Sequence, residues 1–223
     1  MKWPFTTYAT GTLLVSTLPL AALSVWLAGA APGAWWLAPL PLLLFFSAFF
    51  RDPDRSAPGG EDELVAPADG VVADILEVDD PDLGGPALRL GIFLSVFNVH
   101  VNRVPCSGEV TALSQRDGGY FDARDTRAID QNRAATIVLR RPDGRSLAVR
   151  QITGLIARRI ICPVQRGDSF ARGQRYGMIR FGSRTEVMVP KGELDSWSVH
   201  VGDSVKGGQT LIGRLRPAGG ELP

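Results

Sequence analysis

The chain has 223 residues and a mass of 24.0 kDa, room for one catalytic domain and an appendage but not for two full-sized domains. Its 24 basic and 23 acidic side chains give a formal charge of +1, so no excess of Lys and Arg points to a nucleic-acid partner. Two cysteines, Cys106 and Cys162, without CxxC spacing, together with only two histidines, argue against a structural zinc site and against a disulfide framework. They read as small buried thiols, and no metal is expected.

Between Lys2 and Arg51 no side chain is charged. Thr10 to Ala30 is about long enough to span a bilayer, whereas Trp35 to Phe50 is shorter and interrupted by Pro39 and Pro41. Ala31, Pro32 and Gly33 punctuate the two. A cleaved signal peptide would lead into a polar mature region, and here a second apolar stretch follows instead. Residues 1–50 therefore read as a membrane-associated helical hairpin, either spanning or interfacial. Lys2 at one end and Arg51 and Arg55 at the other put the flanking positive charge on one side, which the positive-inside tendency makes cytoplasmic. The expected location is the cell membrane, with the remainder of the chain in the cytoplasm.

Residues 51–61 (RDPDRSAPGGE) form a polar linker, and 62–223 form the second domain. Short runs rich in Val, Ile and Leu follow: VVADILEV, LRLGIFLSVFNVHVNRV, GEVTAL, ATIVLRR, SLAVRQI, MIRFG, TEVMVP and QTLIGRL. Bounded by Gly, Pro, Asp and Asn, they predict strands, so the fold class is mainly β. Val164 to Gln174 and Val199 to Gln209 share V-x-x-G-D-S-x-x-x-G-Q, a repeat of tight turns that resembles barrel-sandwich modules of the lipoyl and biotinyl type. The prediction is a barrel-sandwich catalytic domain behind an N-terminal apolar hairpin.

Histidine is the usual base near neutral pH, and the choice lies between His100 and His200. Strand alternation through LSVFNVHVNRV would put Asn98, His100 and Asn102 on one face, opposite Phe97, Val99 and Val101. His200 sits in the turn repeat where the first copy has Gln165, which suggests a surface role. Asp69 in PADGVV could orient an imidazole, although Asp-Gly before two valines is by itself a hairpin signal. Asp122, Asp125 and Glu186 have no better claim than Asp69. Arg103, Arg158 and Arg159 are candidates for binding a phosphate. Gly182-Ser183 in isolation is an ordinary turn dipeptide.

Taken together, FFRDPDR after the apolar N-terminus, PADG, NVHVNRVPCSG, GLIARRIICPV, GDSFARGQRYGMIRFGSRTEVMVP and VGDSVKGGQTLIG resemble the short, archaeal-type form of the phosphatidylserine decarboxylase family. The segments occur in the family's order from about Phe49 to Gly213. The resemblance implies self-cleavage between Gly182 and Ser183 into a β subunit, residues 1–182, and an α subunit, 183–223. It also implies conversion of Ser183 into a covalent pyruvoyl group, with His100 and Asp69 as the accompanying catalytic residues and no metal. Longer members carry Leu-Gly-Ser-Thr where this chain has Phe181-Gly182-Ser183-Arg184, and a second histidine where it has Arg103.

The residue types suit that chemistry. Glycine before the serine leaves its carbonyl unhindered, and attack by the Ser183 hydroxyl gives an ester whose β-elimination leaves dehydroalanine, then pyruvoyl and ammonia. The implied reaction is decarboxylation of phosphatidylserine in the membrane to phosphatidylethanolamine, with the ketone as the electron sink. The resemblance leaves room for a homo-oligomer of the αβ unit and for an archaetidylserine substrate. The competing classes are a membrane-anchored barrel-sandwich adaptor, which has no reason to self-cleave, and a carrier domain modified at Lys191, which lacks flanking methionines.

Overall fold

The computed structural model describes residues 4–30, 33–155, 159–180 and 182–217. Two compact units follow one another, Met1–Asp54 and Arg55–Pro223.

In the first unit, a 3-10 turn over Thr7–Ala9, led by the Thr6 hydroxyl accepting from the Tyr8 amide, runs into helix α1 (Thr10–Ala30). Thr7–Ala30 is long and apolar enough to cross a membrane. Its few hydroxyls turn inward: Ser16 and Thr17 donate to the Thr12 and Leu13 carbonyls, and Ser24 to Leu20. Helix α2 (Leu40–Phe49) is shorter, with its proline in the first turn, where a missing N–H costs no helical bond. The two ends of the unit meet. The Thr6 amide donates to the Phe50 carbonyl at 2.9 Å and the Asp52 amide to the Pro4 carbonyl at 2.9 Å, so the chain returns to where it began, as a hairpin does.

The second unit contains β1 (Glu63–Val65), β2 (Gly70–Asp80), β3 (Gly85–Leu94), β4 (Val101–Arg103), β5 (Gly108–Arg116), α3 (Thr126–Gln131), β6 (Ala134–Arg140) and β7 (Ser146–Ile152). It continues with β8 (Ile160–Ile161), β9 (Ser169–Phe170), β10 (Arg175–Ile179), β11 (Ser183–Pro190), β12 (Leu194–Trp197), β13 (Ser204–Val205) and β14 (Leu211–Leu215). Eight strands form one antiparallel sheet in the order β13-β2-β3-β11-β7-β6-β5-β9, and two three-stranded sheets, β1-β14-β12 and β4-β10-β8, complete the unit. The fold is mainly β, as expected. The period-2 pattern sends Leu90, Ile92, Leu94, Val187, Val189, Val149, Ile137 and Leu139 to one face of the large sheet, where they form the core with Leu64, Tyr176 and Ile212. β11 lies inside this sheet, paired along its length with β3 on one side and with β7 on the other.

The two copies of the repeat perform the same task. Val164 and Val199 are both buried. Asp168 and Asp203 each accept a backbone N–H three residues back, from Gln165 and His200, both at 2.8 Å. Gly167 and Gly202 hold φ of 94° and 97°, values that favour glycine. One copy then pairs with β5 and the other with β2. The correspondence extends to PADGVV and PCSGEV: the Val65 amide donates to the Pro105 carbonyl, and the Arg103 amide donates to the Pro67 carbonyl. Such reciprocal bonds are those of a local two-fold.

Two expectations need correction. The run LRLGIFLSVFNVHVNRV is not one strand: Asn98 Oδ1 accepts from the Ser95 amide and hydroxyl, both at 2.8 Å, and the resulting turn separates β3 from β4. Asn98 therefore caps a turn and does not share a strand face with His100 and Asn102. Asp69-Gly70 is not a hairpin turn but the start of β2, where glycine is needed because a Cβ would stand 2.1 Å from the Phe93 carbonyl oxygen.

Candidate active site

β11 opens with Ser183, which is fully buried, and whose hydroxyl has no hydrogen-bond partner among the described residues. A buried hydroxyl left in this state costs free energy and calls for an explanation. Immediately before it, Gly182 adopts φ 64°. A side chain there would meet nothing within 4 Å, so glycine serves the backbone conformation and not the available space.

Ser183 and Thr185 lie on the inner face of β11. Thr185 Oγ1 accepts from Asn102 Nδ2 at 2.9 Å, and Asn102 Oδ1 accepts from Gln151 Nε2 at 2.8 Å. All three residues are fully buried, so this chain ties β4, β7 and β11 together in a dry seam. His100, also fully buried, stands one residue before β4, and its carbonyl accepts from the Ile179 amide at 3.3 Å. The segment that carries His100 is thus fastened on both sides of Gly182-Ser183, to Ile179 before it and to Thr185 after it. His100 Nδ1 lies 2.9 Å from the Asn98 carbonyl oxygen. A carbonyl only accepts, so Nδ1 holds the proton of the neutral ring and the basic lone pair is on Nε2.

Asp69 has different partners. Arg55 forks onto both carboxylate oxygens, with Nη2 at 2.9 Å from Oδ2, and the Gly207 amide donates to Oδ1 at 2.8 Å. In the other half of the local two-fold, Ser107 occupies the position of Asp69 and its hydroxyl accepts the Arg172 amide at 3.1 Å.

A cavity of about 410 Å³ has Gly182 in its wall, together with Phe93, Ser95, Val96, Ala123, Arg124 and Leu155. The loop that carries Ala123 and Arg124 is held by Asn132, whose amide exchanges bonds of 2.7 and 2.8 Å with Phe121 and donates to the Thr153 carbonyl at 2.7 Å. Arg124 pairs with Asp122 at 2.7 Å; the Arg124 bond draws the Asp122 carboxyl below its ordinary range, and Asp122 raises the Arg124 guanidinium in turn.

Behind the site, on the outer face of the sheet, Arg184 is buried against Glu186 at 2.8 Å and Asp74 at 2.7 Å. Burial alone would lower its pKa, but these carboxylates outweigh that and raise it. Gly91 leaves the room it needs, since a Cβ there would overlap the guanidinium.

The sequence profile of the phosphatidylserine decarboxylase family matches residues 42–213. The phosphatidylserine decarboxylase proenzyme of Pelobacter propionicus is 48% identical over 174 residues, 78% of each chain. The proenzyme of Geobacter sulfurreducens is 43% identical over 90% of each chain, and that of Cupriavidus pinatubonensis 38% identical over 96% of this chain and 93% of its own. The chain belongs to the phosphatidylserine decarboxylase family.

Set against that family, the residues singled out in the sequence fall in different places. Gly182 is in the cavity wall with the buried Ser183 next to it, and the His100 segment is fastened to either side of the pair. Asp69 is bound to Arg55, a residue that sequence reasoning read only as a flanking charge. The arginines are dispersed: Arg103 is buried, donates to the Gly173 carbonyl at 3.0 Å and lines a separate cavity with Arg55 and Arg172. Arg159 is exposed, and Arg158 and Phe181 lie outside the described residues. His200 is on the surface beside Asp203. Cys106 is buried and Cys162 half-buried, both as free thiols; burial pushes Cys106 up to about 12, which rules it out as a nucleophile near neutral pH. Sequence reasoning missed Asn102, Gln151 and Thr185 as a connected unit, along with Arg124 in the wall.

Proposed function

We propose that this chain decarboxylates phosphatidylserine to phosphatidylethanolamine after cutting itself between Gly182 and Ser183. The observation that carries this reading is the pairing of a left-handed Gly182 at the wall of a cavity with a buried Ser183 hydroxyl that has no partner among the described residues. In the first step Ser183 Oγ bonds to the Gly182 carbonyl carbon, the Gly182–Ser183 C–N bond breaks, and the hydroxyl proton passes through the base to the freed amine. His100 is assigned as that base, through Nε2, and Asp69 as the carboxylate supporting the site. Elimination of the ester then frees residues 1–182 as the β subunit and leaves 183–223 as the α subunit.

The residues present fit a pyruvoyl group at position 183, because the buried Ser183 from which it would derive directly follows Gly182, which lines the cavity. Once formed, the group supplies a ketone that takes up the electron pair released with carbon dioxide. The cavity wall offers the apolar Phe93, Val96 and Leu155 to the lipid and Arg124 to its phosphate, and we assign the phosphate to Arg124. His100 is assigned the return of a proton to the product carbon. The apolar hairpin keeps the enzyme at the membrane, where a two-chain lipid is concentrated, and Arg51 and Arg55 favour a cytoplasmic catalytic unit.

Denaturing mass spectrometry of purified, active protein tests the reading. The expected species are residues 1–182 and a fragment from position 183 with a blocked N-terminus. One intact 24.0 kDa chain from material that decarboxylates phosphatidylserine vesicles would refute it.

A further inference from the structure

Gly182 is suited to its place by its backbone, and a second glycine opposite it is suited by its size. Gly154 follows β7, and a Cβ built on it would stand 2.1 Å from the Gly182 carbonyl oxygen, 3.0 Å from the Gly182 carbonyl carbon and 3.3 Å from the Ala123 Cβ. Its own φ is outside the left-handed region that favours glycine. The requirement for glycine is therefore steric, and the group that needs the space is the carbonyl whose carbon is to be attacked.

Neither side of this contact can easily give way. Just upstream, Thr153 is fastened by its amide to the Arg133 carbonyl at 3.0 Å, and its own carbonyl accepts from Asn132 Nδ2 at 2.7 Å. Opposite, Ser183 and Arg184 are already in register with Leu94 and Ile152. Ala123, the third contact, belongs to the loop that Asn132 holds.

We infer that Gly154 is a positioning residue for self-cleavage: by presenting bare backbone it lets the Gly182 carbonyl sit where the Ser183 hydroxyl can reach its carbon. The inference rests on the self-cleavage reading above. Any side chain at 154 would displace the carbonyl by an ångström or more while leaving the hydroxyl and the base in place. Displacements of that size cost about a hundredfold in rate.

The test follows cleavage of freshly synthesised full-length chain in detergent, for wild type, Gly154→Ala, Gly154→Ala with Ala123→Gly, and Ser183→Ala. Gly154→Ala is expected to cut about a hundredfold more slowly than wild type. Its unfolding midpoint, measured in a Ser183→Ala background, is expected to fall only by the few degrees that overpacking costs, with unfolding still a single cooperative transition. Adding Ala123→Gly relieves only the 3.3 Å contact and is expected to restore nothing. Neutral hydroxylamine, which cuts an ester but not a peptide bond, is expected to leave Gly154→Ala intact, because the block precedes the ester. Wild-type cleavage rates in Gly154→Ala, rescue by Ala123→Gly, or hydroxylamine cutting of Gly154→Ala at residue 182 would each overturn the inference. A wild-type chain that stays whole, or a Ser183→Ala chain that is cut, would instead overturn the self-cleavage reading, so the two failures are distinguishable.

Discussion

Glu186 is the sharpest place to perturb the frame around Ser183. Its carboxylate is fully buried and has Arg184 Nε at 2.8 Å, Arg89 Nε at 3.5 Å and an Arg150 nitrogen at 3.6 Å. Glu186→Gln keeps the shape and removes the charge, so three guanidinia converge on a neutral amide at a position that is itself fully buried. Removing one partner from a buried ionic cluster costs about 3–5 kcal/mol. Asp74 contacts Arg184 and Arg89 in the same cluster, but its side chain is 22% exposed, so water can replace what Asp74→Asn removes. That change should cost about 1 kcal/mol. For a domain of this size 1 kcal/mol is about 2–4 °C, so Glu186→Gln should lower the unfolding midpoint by roughly 10 °C and Asp74→Asn by about 3 °C. Thermal unfolding in detergent at neutral pH, with Ser183→Ala in every chain so that all are uncut, measures both. Equal shifts for the two variants, or a Glu186→Gln loss abolished by 1 M salt, would refute the reasoning, because a dry cluster is little screened.

Three further outcomes follow from the geometry. Cys106, with its pKa raised by burial to about 12, should stay unlabelled by a maleimide in the folded protein at pH 8.5 and label fully in denaturant. Because the unfolded thiol ionises first, the stability linked to Cys106 is complete below about pH 8.5, is lost as pH rises toward 12, and should leave Cys106→Ala with the shallower alkaline decline. Asn132→Ala removes three bonds that hold the loop of Ala123 and Arg124, at about 1 kcal/mol each, and should both lower the denaturation midpoint and slow the appearance of the α fragment. Arg124→Met, which replaces an exposed guanidinium of the cavity wall, should lower kcat/KM on phosphatidylserine vesicles about tenfold through KM; an unchanged KM would place the phosphate elsewhere.

Much of this was legible in the sequence, because strand periodicity and turn chemistry are local. The eight apolar runs all contain strand, and the shared V-x-x-G-D-S-x-x-x-G-Q marks two turns with matching hydrogen bonds and positive φ glycines. What escaped was set by contacts distant along the chain. The turn at Ser95–Asn98 depends on an asparagine side chain that alternation treats as one more strand residue. The Asn102–Gln151–Thr185 seam joins three strands, and Gly154 matters only because Gly182 folds against it. Arg55 was hidden for the same reason, since its partner is fourteen residues away and is brought to it by the fold.

The internal two-fold separates what the fold requires at Asp69 from what it does not. Ser107 shows that a hydroxyl suffices to anchor the equivalent turn, through the Arg172 amide, and Asp69 performs the same anchoring through the Gly207 amide. The negative charge and the buried Arg55 fork are therefore additions that the turn can do without, and buried ion pairs are poor stabilisers compared with apolar packing. An addition the fold does not need points to a part in the chemistry. Asp69→Ser combined with Arg55→Met keeps the anchor and strands no charge, so it should unfold within a few degrees of the parent. If the carboxylate serves the base, the double variant should nevertheless self-cleave about a hundredfold more slowly. A folded double variant that cuts itself at the wild-type rate would reduce Asp69 to the role Ser107 already fills, and His100 would then have to act without it.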